Sequence, residues 1–89
     1  MTISKTLSAL SDPTRRKILD LLKKSEMNAG KIGKHFKITA PSLTHHLNVL
    51  RDAGLVSSRR DGKEIFYSLN LSVFEEVAGS VLKIFEIKK

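Results

Sequence analysis

The chain has 89 residues, no cysteine, and 16 Lys and Arg against 9 Asp and Glu, giving a formal charge of +7 and a pI near 10.0. That length supports one domain over 1–89, which buries little more than about 60% of its unfolded surface and gains from association with a second copy. Without cysteine there are no disulfides or thiolate metal sites, and no run of about 18 apolar residues is present to span a bilayer. The basic imbalance points to a polyanionic partner, with anionic membrane and an acidic protein as competitors. Ser4, Lys5, Thr6 and Ser8 interrupt any signal-peptide core, so the chain is expected to start as mature protein and to work in the cytoplasm.

Ile3, Leu7 and Leu10 stand at i, i+4 and i+7 and predict a short amphipathic helix, too short to be stable unless it docks. Ser11 or Asp12 can cap a second helix with Pro13 at its first position, Ile18, Leu21 and Leu22 as its buried stripe, Leu19 on a flank and an end near Ser25. Arg15, Arg16 and Lys17 crowd the positive end of that helix, which the macrodipole opposes by roughly 0.3–1 kcal/mol per charge. Phosphate contact and a solvated or locally paired face are both open, and local pairing is the commoner outcome.

Asn28 can cap a third helix over 29–36, with Ile32 and Phe36 inward and Lys31, Lys34 and His35 outward; Gly30 and Gly33 make it dependent on packing. Residues 37–40 connect it tightly to a helix over 40–53, and two short helices joined this closely make a helix-turn-helix. Thr39 supplies a capping oxygen, Pro41 sits in the first turn, and Gly54 closes the far end. On a period of 3.6, Leu43, Leu47 and Leu50 fall on one side, and Pro41, Thr44, His45, Asn48 and Asp52 on the other. Between Thr39 and Asn48 no residue is formally charged, although the chain is 28% charged. Small residues, hydroxyls, an imidazole and an amide can approach base edges in a major groove and hydrogen-bond to them. Lys37, in the connection, is a candidate contact to the nucleic-acid backbone.

After Gly54 the period becomes strand-like, and residues 55–69 are expected to form a hairpin wing. An Asp61-Gly62 type I′ turn pairs Arg60 with Lys63 and Arg59 with Glu64, with Val56, Ile65, Tyr67 and Leu69 alternating inward. The tip carries Arg59, Arg60 and Lys63, placed to reach phosphate or a minor groove. Ser72 to Glu75 read as a capping box that opens a helix over 73–87. Phe74, Val77, Ala78, Val81, Leu82, Ile84 and Phe85 cover a wider stripe than one small core needs, with Ile87 exposed beyond them. With Ile3 and Leu7 of the first helix they form the expected homodimer surface.

Leu10 to Leu22 (LSDPTRRKILDLL), Ser42 to Val56 (SLTHHLNVLRDAGLV), and Arg59 to Lys63 with Tyr67 to Leu69 resemble the ArsR family of bacterial winged-helix repressors. The resemblance implies a dimeric winged helix-turn-helix, mainly α with a small β-hairpin in the order α-α-α-α-β-β-α, that represses transcription from a palindromic double-stranded DNA operator. By motif position Ser42, Thr44 and His45 are the DNA-reading residues. Metal-sensing members use cysteines on the recognition-side helix, or His and carboxylate ligands on the terminal helix; here there is no thiol, and the terminal helix has Glu75, Glu76 and Glu86 but no histidine, so no metal or other cofactor is expected. The chain looks more like the short, cysteine-free SdpR-like members, in which the signal can be a regulatory protein, including a membrane-bound one.

No nucleophile, acid–base pair or phosphate loop converges in the sequence, so neither an enzyme nor a small-molecule substrate is indicated. His45 and His46 point about 100° apart on a helix and cannot share one ion, His35 lies on another helix, and His46 is expected at the edge of the core. The alternative is a winged helix used for protein interaction alone.

Overall fold

Leu43, Leu47 and Leu50 decide where the core sits: they lie on one side of a thirteen-residue helix and are 7%, 1% and 0% exposed. A computed structural model describes residues 3–85. The order is α1 (Ile3–Leu10), α2 (Pro13–Leu22), β1 (Met27–Asn28), α3 (Ala29–Gly33), α4 (Ala40–Asp52), β2 (Val56–Asp61), β3 (Glu64–Leu69) and α5 (Leu71–Phe85). Ile18, Leu19 and Leu22 of α2, Ile32 of α3, and Leu55 and Val56 after α4 close around the three leucines.

The sheet has three strands in the order β1-β3-β2, all pairs antiparallel, rather than the expected hairpin alone. The added strand pairs Met27 with Tyr67 and Asn28 with Phe66, and two residues are too few to display an alternating pattern. Asn28 is at once the last residue of β1 and the N-cap of α3, where its side chain accepts the Lys31 N–H at 2.7 Å. That helix ends at Gly33, three residues before the expected 36; His35 and Phe36 continue as tight turns onto Ile32 and Gly33.

The hairpin turn sits one residue later than expected: Asp61 pairs with Glu64 and Arg60 with Ile65, so Gly62 and Lys63 are its central residues. Gly62 alone of the two has positive φ, 65°, as a type II′ turn requires at its first central position. The shift moves each partner by two residues, which preserves the faces: Val56 and Tyr67 are buried, with Ile65 and Leu69 half-buried beside them.

Three helix assignments also change. Helix α1 docks through Thr6 and Ala9, both fully buried, because small side chains let it approach the body; Ile3 and Leu10 are half-buried and Leu7 points outward. Helix α2 packs against α1, α4 and β3, which draws in Leu19 and leaves Leu21 half-buried. Helix α5 begins at Leu71, capped by the Asn70 carbonyl, which accepts the Val73 and Phe74 N–H groups at 3.1 and 3.3 Å. Asn70 is fixed there because its own N–H donates to the Leu55 carbonyl, so Ser72 falls inside the first turn. Ile87 and the expected end of that helix lie outside the described residues.

The radius of gyration is 14.1 Å, against about 12 Å for a compact chain of this length. Part of the reason is α5, where only Val73 is buried and Leu82, Ile84 and Phe85 are 70%, 64% and 77% exposed.

Helix α2 starts at a working cap. Asp12 Oδ2 accepts the Arg15 N–H at 3.0 Å, and this bond, ahead of the nearby Arg15 charge, holds the carboxyl below its ordinary 3.8 against a smaller effect of burial. A group whose folded value is depressed contributes stability above its unfolded value and loses it as pH falls through the folded one. Asp12→Ala should therefore cost about 1 kcal/mol at neutral pH. The gap between denaturant melts of the two proteins should begin to narrow as pH falls below about 4 and close below the folded value of the carboxyl; a gap of constant size down to acid unfolding would show that the ionised cap is not its source.

Candidate nucleic-acid interface

The exposed face of α4 is defined at both ends. Thr39 Oγ1 accepts the Ser42 N–H at 3.2 Å, and Pro41 occupies the first turn, where its missing N–H costs nothing. At the other end Leu55 donates to the Leu50 carbonyl at 3.0 Å and Gly54 to the Arg51 carbonyl at 2.9 Å, the two bonds of a Schellman motif. Gly54 takes the left-handed φ of 77° that this closure needs, and Leu50 and Leu55, both fully buried, add the apolar contact. With the leucines inward, Pro41, Thr44 and His45 are exposed and Ser42 and Asn48 half-exposed, and the face carries no formal charge from Ala40 to Asn48.

Basic groups border this face unevenly. Lys37, in the α3–α4 connection, and Arg60 and Lys63, at the wing tip, are exposed. Arg59 is engaged within the fold. Its Nε and Nη2 donate to both carboxylate oxygens of Glu26 at 2.9 and 2.7 Å, and its guanidinium lies 4.8 Å from the centre of the Phe66 ring. The hydrogen bond and charge of Arg59 lower the Glu26 carboxyl, and Glu26 raises Arg59 in turn. Arg59 therefore braces the wing against the segment before β1. No local pattern singles out Glu26, whose partner is 33 residues away.

The arginines at the start of α2 are paired locally. Arg15 Nε donates to the Ala9 carbonyl at 2.7 Å and Nη2 to that of Ser8 at 3.2 Å, while Arg16 Nη1 donates to Leu10 at 2.8 Å. These are last-turn carbonyls of α1, which lack partners within their own helix and sit at the negative end of its dipole. The third nitrogen of Arg15, Nη1, lies 3.2 Å from His46 Nδ1, and the His46 side chain is 15% exposed at the core edge. Lys17 sits over the Phe36 ring at 5.4 Å.

His45, the next residue round α4, is exposed, its ring centre 5.6 Å from that of His46. Among the described residues no group of three or more His, Asp or Glu is arranged to hold a metal ion, and no helix is long and apolar enough to cross a membrane.

Residues 12–58 match the family of bacterial regulatory proteins of arsR type. The chain is 51% identical over 74 residues to the transcriptional repressor SdpR of Bacillus subtilis, covering 83% of this chain and 82% of that one. It is 39% identical over 75 residues to the arsenical resistance operon repressor of Staphylococcus aureus, covering 84% and 72%. In three dimensions it superposes on the crystal structure of a possible transcriptional regulator for arsenical resistance with a TM-score of 0.81 at 30% identity, over 92% of this chain and 84% of that one. The chain thus belongs to the arsR family: it is a DNA-binding transcriptional regulator of winged helix-turn-helix fold, and not an enzyme.

Proposed function

We propose that the 89 residues act as one unit, a homodimeric repressor in the cytoplasm that binds a palindromic operator and reads it with Ser42, Thr44, His45 and Asn48. The observation that carries this reading is the uncharged polar face of α4, exposed because the leucines opposite are buried. An ordinary solvent face would carry Glu and Lys, whereas hydroxyl, imidazole and amide groups match base edges. Lys37, Arg60 and Lys63 are assigned to phosphate; Arg59, clamped by Glu26, is assigned to bracing the wing.

The dimer seam is assigned to Ile3 and Leu7 of α1 and to Phe74, Val77, Ala78, Val81, Leu82 and Phe85 of α5. Phe74 and Val77 pack partly on the core of their own subunit, which leaves Ala78, Leu82 and Phe85, with Leu7, as the outward part. A regulatory protein as the release signal, membrane-bound or not, belongs to the same proposal and rests on the similarity to SdpR.

The two kinds of DNA contact should fail differently. His45→Ala should cost about 1–3 kcal/mol on operator and little on random duplex, with the salt dependence unchanged. Replacing Arg60 and Lys63 by Ala should weaken both DNAs alike and lower the salt slope by roughly one unit per lost contact in each subunit. Arg59→Ala should leave that slope as it is. Fluorescence anisotropy against salt measures all three, and a reduced slope for His45→Ala would make that residue a phosphate contact.

Leu82 is 70% exposed, so Leu82→Asp leaves the subunit core intact. Light scattering should find this variant monomeric with its helical circular dichroism largely retained; a dimer of unchanged stability would remove α5 from the seam.

A further inference from the structure

Arg15 does more than cap α1. Two of its guanidinium nitrogens donate to the carbonyls of Ala9 and of Ser8, the latter shared with Ser11, and the third reaches across to His46 on α4 at 3.2 Å. An arginine can only donate, so His46 Nδ1 accepts and the ring proton stands on Nε2. Asp12 completes the cluster: its Oδ2 holds the backbone N–H of Arg15 at 3.0 Å and lies 3.9 Å from His46 Nδ1.

We propose that the Arg15–His46 bond is a rotational stop for the recognition helix, fixing its face relative to α1 and thereby the half-site spacing that a dimer accepts. The proposal rests on the dimer and base-reading assignments above. Burial of Leu43, Leu47 and Leu50 fixes how deep α4 sits, but apolar attraction is non-directional and tolerates rotation of the helix about its axis. A hydrogen bond is directional, and the planar fork of arginine transmits direction from one element to another. His46 is the chain neighbour of His45, so any turn of α4 that breaks the bond also swings His45 away from its base. At its other end the fork holds the last turn of α1, the helix that carries outward Leu7 and touches α5. The path from the seam to the reading face is thus α1 carbonyls, Arg15, His46, His45. In a two-fold dimer each subunit repeats it, so a loosened link lets the two reading faces adopt a range of separations and orientations.

The test uses the full chain and an operator obtained by selection from random duplexes, with its half-sites moved together or apart by one and two base pairs. Wild type should show one sharp optimum. His46→Leu keeps the apolar bulk but has no acceptor; it should lose about tenfold at the optimum and little at the neighbouring spacings. Its affinity for a single half-site and for random duplex should stay within about twofold of wild type. His46→Asn, whose amide oxygen stands near the place of Nδ1, should restore the sharp optimum, which a loss of packing alone would not allow. Should His46→Leu fail to fold, Arg15→Lys is measured in its place; it keeps the charge at the end of α1 but not the fork, and should flatten the profile equally. A dimeric His46→Leu protein with the wild-type profile, or one weakened evenly at every spacing, would overturn this proposal alone. A wild-type protein that is monomeric, or indifferent to spacing, would overturn the dimer reading and this proposal with it.

Discussion

The structure depends on burying α4 along one narrow stripe and no further. Leu43, Leu47 and Leu50 hold the helix, and residues from α2, α3 and the Leu55–Val56 exit converge on them. A wider apolar arc would draw Thr44 or His45 into the body, and a narrower one would leave a thirteen-residue helix without enough tertiary support, since isolated helices of that length are marginal. The caps serve the same end: Thr39 and the Gly54–Leu55 closure fix where the helix begins and stops, and so which residues stand on its wet face. The wing follows immediately, so the position of α4 carries over to β2 and β3.

A formal charge of +7 suggests a broad electrostatic footprint, but two of the arginines behind it are internal struts. Arg15 ties α1 to α4, and Arg59 ties the wing to Glu26 and covers Phe66. Both use the planar fork of guanidinium, which a lysine could not reproduce. Lys37, Arg60 and Lys63, the groups assigned to phosphate, stand exposed, as does Arg51 in the last turn of α4.

What the sequence disclosed follows from the range of the interactions. The boundaries of α4 and α2 were legible because capping is local: Thr39 acts on Ser42 and Asp12 on Arg15, each three residues apart. The leucine stripe was legible because helical period writes burial into spacing. Strand β1 was not, because two residues set no period and its partner lies 40 positions away, Met27 against Tyr67. The wing turn was displaced because Asp-Gly and Gly-Lys both place glycine where positive φ is needed, so the local sequence does not decide between them. Ser72 imitated a cap that Asn70 fills, because the end of β3 fixes Asn70 through Leu55. At the candidate site the outward residues were legible, whereas the engagement of Arg59 with Glu26 and of Arg15 with His46 spans 33 and 31 residues. No local pattern encodes such pairs.

Whether a two-fold pair of α4 faces binds operator DNA is decided by selection from random duplexes with the purified full chain. Selection should enrich two inverted copies of one short motif, their centres about one helical turn apart or a multiple of it. Recovery of a single uninverted motif, or of no enriched sequence at a salt concentration where the protein still binds DNA, would contradict such binding.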